Sequence, residues 1–290
     1  MRLMNIFDTL LEEALENTPE LAPLKIVVEK ELIHHDILKI LSYHDLLANL
    51  TFIGGTCLRT CYGGVRLSED LGFTGGSNFS RSTLSEMGKI IIENLHKKYG
   101  LVVQVSEPIK DKKNVDTWKI KIETRAERKY LPAQRINIDI CAVQSYERIP
   151  VMLLNPYGVD MGTDGLVIQA ESCEEIYVDK LLAIALRPNR IKYRDIWDII
   201  WLYRKNIQPK FSLMLDKLKE RGLTKDDFHK LFNVRIAFLH HNITTSNEEF
   251  RQEMERFLPA TSVKKMIDQA DFWTFVIQLL TEFSDQIASL

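Results

Sequence analysis

The chain is 290 residues long and 45% hydrophobic, enough to bury the core of one large or two modest domains. Lysine and arginine number 38 against 40 aspartates and glutamates, a formal net charge of −2. That excludes bulk attraction to nucleic acid, so such a partner needs a local basic patch. No apolar run approaches the ~20 residues that span a bilayer, and Met1-Arg2-Leu3-Met4 leads into an amphipathic stretch rather than a signal peptide. The expected compartment is the cytoplasm.

Met1 to Asn17 reads as a helix ended by Thr18-Pro19. Leu24 to Leu50 reads as a long helix, either continuous or broken, with Ile33, Ile37, Ile40 and Leu41 at helical spacing. His34 and His35 within it are read as polar-face or partly buried residues rather than metal ligands. Thr51 to Ile53 is a short apolar strand. Gly54, Gly55 and Thr56 then open a short helix, and after Gly63-Gly64 come Arg66, Ser68, Glu69 and Asp70. A strand, a Gly-Gly turn and a helix start present backbone N–H groups to an anion, and the acidic stretch brings a carboxylate close by. Together they suit a nucleoside triphosphate with its metal. A helix from Ser82 to Tyr99 stops at Gly100, and Leu101 to Val105 is a strand. Lys110 to Asn114 is a charged turn. Thr117 to Glu123 alternates, and Arg125 to Tyr130 fits a hairpin loop. Arg135 to Cys141 alternates again, with Ile136, Ile138 and Ile140 toward the core and Asp139 on the other face, where an aspartate is unfavourable without a task. Val151 to Leu154 and Leu166 to Ala170 are further apolar runs whose order in a sheet is open.

From Glu171 onward the pattern becomes helical. Ser172 caps a helix carrying Glu174 and Glu175 in its first turn and Lys180, Ala183 and Arg187 further on. Pro188-Asn189 breaks it, and a second helix near Lys192 carries Arg194, Asp195 and Asp198. Phe211 to Arg221, Lys225 to Leu239, Ser246 to Leu258 and Ser262 to Leu290 are the remaining helices, with Asn242 a candidate cap. Phe272, Trp273, Phe275 and Phe283 read as core. The four cysteines, with Cys57 and Cys61 one helical turn apart, lack a second pair at zinc-site spacing and read as buried or incidental thiols.

Gly54-Gly55-Thr56 followed by Arg66-Leu67-Ser68-Glu69-Asp70 resembles the AbiEii-type nucleotidyltransferase toxins, a branch of the DNA polymerase β-like nucleotidyltransferase superfamily. Lys180, Ala183, Arg187, Arg194, Asp195 and Asp198 match a second motif of that family. The resemblance covers Thr51 to Arg204. It implies an α+β fold, a nucleotidyltransferase-like mixed sheet flanked by helices over residues 1–170, followed by a helical domain over residues 171–290 that closes the active-site cleft. It implies transfer of a nucleotidyl group from an NTP to an acceptor such as tRNA or another RNA, with Mg2+ as cofactor. Asp70 and Asp139 are the implied metal ligands, and Asp70, Asp139, Lys180 and Asp195 the implied catalytic set. Gly54, Gly55, Thr56, Arg59, Arg66, Ser68 and Lys180 are the implied nucleotide-binding residues. Asp195 would hold Lys180 or orient the attacking group. A cognate antitoxin is the implied partner.

One position departs from the pattern: Gly72 stands where the family has its second aspartate. Glu69 does not replace it, since it points to the opposite face. Three explanations follow: degeneration to a binding protein, one-metal activity through Asp70 and Asp139, or an inactivating change in a toxic enzyme. The alternatives to nucleotidyl transfer are a non-catalytic nucleotide- or antitoxin-binding protein of the same fold and a phosphotransferase.

Overall fold

The computed structural model describes residues 6–108, 115–125 and 132–290. The expected turn at Lys110 to Asn114 and nearly all of the loop expected from Arg125 to Tyr130 lie outside these residues. The chain forms two compact units, Met1–Glu171 and Ser172–Leu290.

The first unit opens with helix α1 (Ile6–Asn17) and, after a 3-10 turn over Pro19–Leu24, helix α2 (Lys25–Tyr43). The expected continuation of α2 to Leu50 does not occur: Asp45 takes φ 58, which an α-helix cannot accommodate, and turns carry the chain to the sheet. Strand β1 (Thr51–Ile53), helix α3 (Gly54–Tyr62) and strand β2 (Leu71–Thr74) follow. Helix α4 (Met87–Tyr99) starts later than Ser82, because a 3-10 turn over Arg81–Leu84 precedes it; Gly100, at φ 69, ends it as expected. Strands β3 (Val102–Ser106), β4 (Val115–Glu123), β5 (Gln134–Cys141), β6 (Arg148–Met152) and β7 (Val167–Glu171) complete the unit.

Among the described residues the strands form one seven-stranded mixed sheet in the order β3-β4-β5-β2-β1-β7-β6. β2 runs parallel to β5 and antiparallel to β1, and β1 runs parallel to β7. The two apolar runs left unordered by the sequence are the antiparallel pair β6 and β7 at one edge. Ile136, Ile138 and Ile140 on β5 and Trp118, Ile120 and Ile122 on β4 are buried on one face, as alternation predicts. Phe52 and Phe73 pair across β1 and β2 with ring centroids 5.1 Å apart.

Helix α2 carries five buried polar side chains, Glu29, Glu31, His34, His35 and Asp36. Each has a partner far along the chain. Glu29 accepts from Arg125 and Gln134, and Asp36 from Lys98 and Tyr99. His35 meets Thr163 at 3.2 Å. A buried polar group costs about 1–3 kcal/mol when left unpaired, so these contacts fix the helix against specific segments rather than merely covering apolar surface.

The second unit is helical. Ser172 caps α5 (Cys173–Leu186) as expected, its hydroxyl accepting the Glu175 N–H at 3.1 Å. Helices α6 (Tyr193–Arg204), α7 (Phe211–Glu220), α8 (Lys225–His241) and α9 (Ile243–Met254) follow. Asn242 donates to Phe238 O at 2.8 Å, so it serves the end of α8 rather than the start of α9. The expected last helix is split: a π-helical segment over Val263–Ile267 precedes the closing helix Phe272–Ala288. Tyr193, Phe250 and Trp273 form an edge-on cluster, and Phe283 packs on Tyr177; Phe272, Trp273 and Phe283 are buried as expected, whereas Phe275 is half-buried against Tyr203.

Candidate active site

The first motif lies where β1 meets α3 and where the loop after α3 enters β2. Gly54 adopts φ +79 as it turns the strand into the helix, a conformation that L side chains rarely adopt. No side chain caps α3. The Thr56 hydroxyl lies 2.6 Å from the Ser68 hydroxyl and donates to the backbone carbonyl of Asp70, so it ties the helix start to the acidic loop.

Asp70 stands one residue before β2, slightly earlier than a motif wholly on the strand would place it. Its Oδ1 accepts the backbone N–H of Asn137 on β5 at 2.9 Å. Oδ2 has no hydrogen-bond partner among the described residues. In the parallel β2–β5 ladder Gly72 is directly opposite Asp139. Paired residues share a face and side chains alternate along each strand, so Asp70, Gly72 and Asp139 all belong to the same face. The Thr117 hydroxyl donates to Asp139 Oδ1 at 2.6 Å, which aims that carboxylate. A Cβ at Gly72 would meet only Ile53 O at 3.4 Å and Ile53 Cγ1 at 3.5 Å, ordinary contacts.

Among the described residues no group of three or more His, Cys, Asp or Glu side chains is arranged to hold a metal ion. The two carboxylates do suit one hard cation: Mg2+ takes one or two protein carboxylates and completes its shell with water and substrate phosphates. Asp70 is oriented by a neutral N–H with its second oxygen unengaged, which fits that donor set.

What holds the loop is a set of contacts from α2. Glu31 on α2, 1% exposed, accepts the Ser68 N–H at 2.7 Å, the Arg59 Nε–H at 3.0 Å and the Tyr157 hydroxyl. Lys30 pairs with Glu69 at 2.8 Å, and His34 Nε2–H donates to Glu69 O at 3.1 Å. Burial pushes His34 down to about 3 and His35 to about 4, so both are neutral at pH 7. Arg59 also donates to Gly64 O at 2.9 Å. Its buried guanidinium is thus engaged by Glu31 and the loop backbone, with Tyr157 beneath it at 5.8 Å. Arg66 is buried and donates to Leu67 O at 3.0 Å. The signal for this network was the density of polar residues on α2, which reads locally as a solvated face.

The second motif folds within the helical unit. Lys180 on α5 places Nζ 2.8 Å from Asp195 Oδ1 and 2.8 Å from Asp198 Oδ2 on α6, and Arg187 reaches Asp195 Oδ2 at 2.8 Å. Burial opposes ionisation of Asp195, but Lys180 and Arg187 outweigh it and hold its carboxyl at about 2. Of the two roles open for Asp195, holding Lys180 is the one its contacts serve. Arg194 reaches Glu253 on α9 at 3.1 Å and lies over Phe257.

A mixed sheet with two carboxylates on one face, beside a glycine-led helix start, is the frame of a nucleotidyltransferase. A family model described as "Nucleotidyl transferase AbiEii toxin, Type IV TA system" matches residues 36–283. The chain belongs to this family, and it is thereby a nucleotidyltransferase of the toxin–antitoxin type that acts on a nucleoside triphosphate. Among solved structures it is similar to MenT4, a nucleotidyltransferase toxin from Mycobacterium tuberculosis H37Rv, with TM-score 0.55, 14% identity, and 96% of this chain and 92% of that chain covered. It is also similar to JHP933 from Helicobacter pylori, with TM-score 0.51, 16% identity, and 91% and 95% covered. At such identities the likeness is one of fold. No curated protein sequence matches the chain. No helix among the described residues is long and apolar enough to cross a membrane.

Proposed function

We propose that this protein transfers a nucleotidyl group from a nucleoside triphosphate to an RNA acceptor, tRNA being the favoured class, and that Gly72 suppresses the activity. An RNA acceptor of that class puts its site of action in the cytoplasm, with a cognate antitoxin encoded alongside. The observation that carries the reading is the β2–β5 register, which sets Gly72 opposite Asp139 with Asp70 two residues earlier on the same face.

Asp70 and Asp139 would hold Mg2+, which on binding supplies positive charge to the reacting phosphate. Asn137 and Thr117 keep the two carboxylates aimed. The backbone of Gly54 and Gly55 serves the phosphates through the N-terminal end of α3, while Thr56 and Ser68 hold the acidic loop in place. Arg59 supports the loop by way of Glu31 and Gly64, and Arg66 by way of Leu67. Within the helical unit, Asp195 and Asp198 fix Lys180 as a cation suited to phosphate oxygens. Loss of one convergent carboxylate removes several kcal/mol of transition-state stabilisation.

The test is a paired transfer assay with total RNA, Mg2+ and each α-labelled nucleoside triphosphate. The expected result is strong label in RNA from the Gly72→Asp protein and little from the original. Equal labelling by both proteins makes position 72 dispensable and overturns the carboxylate scheme. No labelling by either removes RNA as the acceptor.

A further inference from the structure

The loop between α5 and α6 carries Arg187, Arg190 and Lys192 and no acidic residue. Lys180 and Arg187 are tied to Asp195 and Asp198, and Arg194 is committed to Glu253. Lys192, half-buried at the residue before α6, remains. Among the described residues its ammonium makes no hydrogen bond or ion pair. Lys180 and Arg187 thus share Asp195, and Lys192, three residues before that aspartate, keeps its side chain unengaged.

We infer that Lys192 is an anion-binding residue that, beside the braced Lys180 and Arg187, receives the phosphate chain of the nucleoside triphosphate. Burial, together with Arg187, Arg194 and Lys180, pushes its ammonium below the usual lysine range despite the pull of Asp195. A cation crowded by like charge and partly stripped of water gains more from an incoming phosphate than a solvated surface lysine does. Asp195 and Asp198 prevent Lys180 and Arg187 from being displaced when the anion arrives, because their contacts are already made. Phosphate oxygens could also come from an RNA backbone; the triphosphate is favoured because several cations converge on one short loop rather than lining a track.

This inference rests on the nucleotidyltransferase reading, and the experiment separates the two. Calorimetric titration of the full chain uses inorganic tripolyphosphate, the four nucleoside triphosphates, and a single-stranded RNA lacking terminal phosphates. Lys192→Gln is expected to weaken tripolyphosphate and triphosphate binding at least about tenfold, with Lys192→Arg close to the original and melting temperatures unchanged. As a second readout, tripolyphosphate should slow the acylation of Lys192. If nucleoside triphosphates bind and Lys192→Gln binds them equally well, the inference fails while the nucleotidyltransferase reading stands. If Lys192→Gln weakens only RNA binding, the residue serves an acceptor backbone and the triphosphate assignment is overturned. If the original chain binds neither a nucleoside triphosphate nor tripolyphosphate, both readings fall.

Discussion

Replacing Gly72 by aspartate should make the fold of the first unit depend on Mg2+, whether or not any acceptor is turned over. The backbone admits the side chain, since a Cβ there meets Ile53 atoms no closer than 3.4 Å. Relief of the glycine entropy cost is worth roughly 0.5–1 kcal/mol, and the poor strand preference of aspartate offsets about as much. The deciding effect is electrostatic. Position 72 lies opposite Asp139, and neighbouring strands are about 4.8 Å apart. Two carboxylates roughly 5 Å apart repel by about 3 kcal/mol at an effective dielectric constant of 20. Solvent at this half-exposed face screens part of that, leaving about 1–2 kcal/mol of destabilisation in a chelating buffer. The expected drop in Tm is about 3–6 °C at this size. A cation bridging the carboxylates reverses the sign: saturation at 100 times its Kd returns about 2.7 kcal/mol. Scanning calorimetry of the original and the Gly72→Asp protein, each with chelator and with millimolar Mg2+, reads this directly. The substituted protein should melt lower than the original in chelator and higher in Mg2+. Adding Asp139→Asn should abolish both effects. Identical melting of the Gly72→Asp protein in chelator and in Mg2+ would refute the placement of positions 72 and 139 at one cation site.

Glu31→Gln removes the negative charge that compensates the buried Arg59, so it should cost about 3–5 kcal/mol in urea unfolding; a loss under about 1 kcal/mol would show that the guanidinium has another support. His34 and His35 are depressed from 6.5 to about 3 and about 4. Below pH 6.5 the unfolded chain therefore binds protons that the folded chain refuses. Their stabilising contribution is complete above pH 6.5 and is lost as pH falls toward 4 and then 3. At pH 5 each should have lost about 2 kcal/mol, and a His34→Gln protein should show a shallower decline between pH 6.5 and 5 in urea melts. A pH-independent midpoint across that range would mean that the histidines take up protons in the fold as readily as in the unfolded chain.

What the sequence disclosed was local, and what it concealed was long-range. The alternation of Ile136, Ile138 and Ile140 puts Asp139 on the opposite face without knowledge of any neighbour. Gly54-Gly55-Thr56 and the Ser172 cap are likewise decided within a few residues. The break in the helical stretch expected to Leu50 could not be placed, because apolar spacing does not reveal a residue such as Asp45 leaving the helical region. The polar residues of α2 were the larger loss. Glu31 is bonded to Ser68 and Tyr157, 37 and 126 positions away, so no window on α2 distinguishes it from a solvated glutamate.

Lys192 escaped for the same reason, and the comparison with Lys180 shows what the structure adds. Motif spacing selects Lys180, yet that side chain is already held by two carboxylates. A substrate gains most from groups that the fold leaves unengaged. Among the described residues these include Asp70 Oδ2 in the first unit and Lys192 Nζ in the second, one suited to a cation and the other to an anion. Motif residues such as Thr56, Ser68 and Asp195 have their hydroxyls and carboxylate bound within the fold, to the Asp70 backbone, to one another and to Lys180, so a motif match by itself does not single out the groups left open to a ligand.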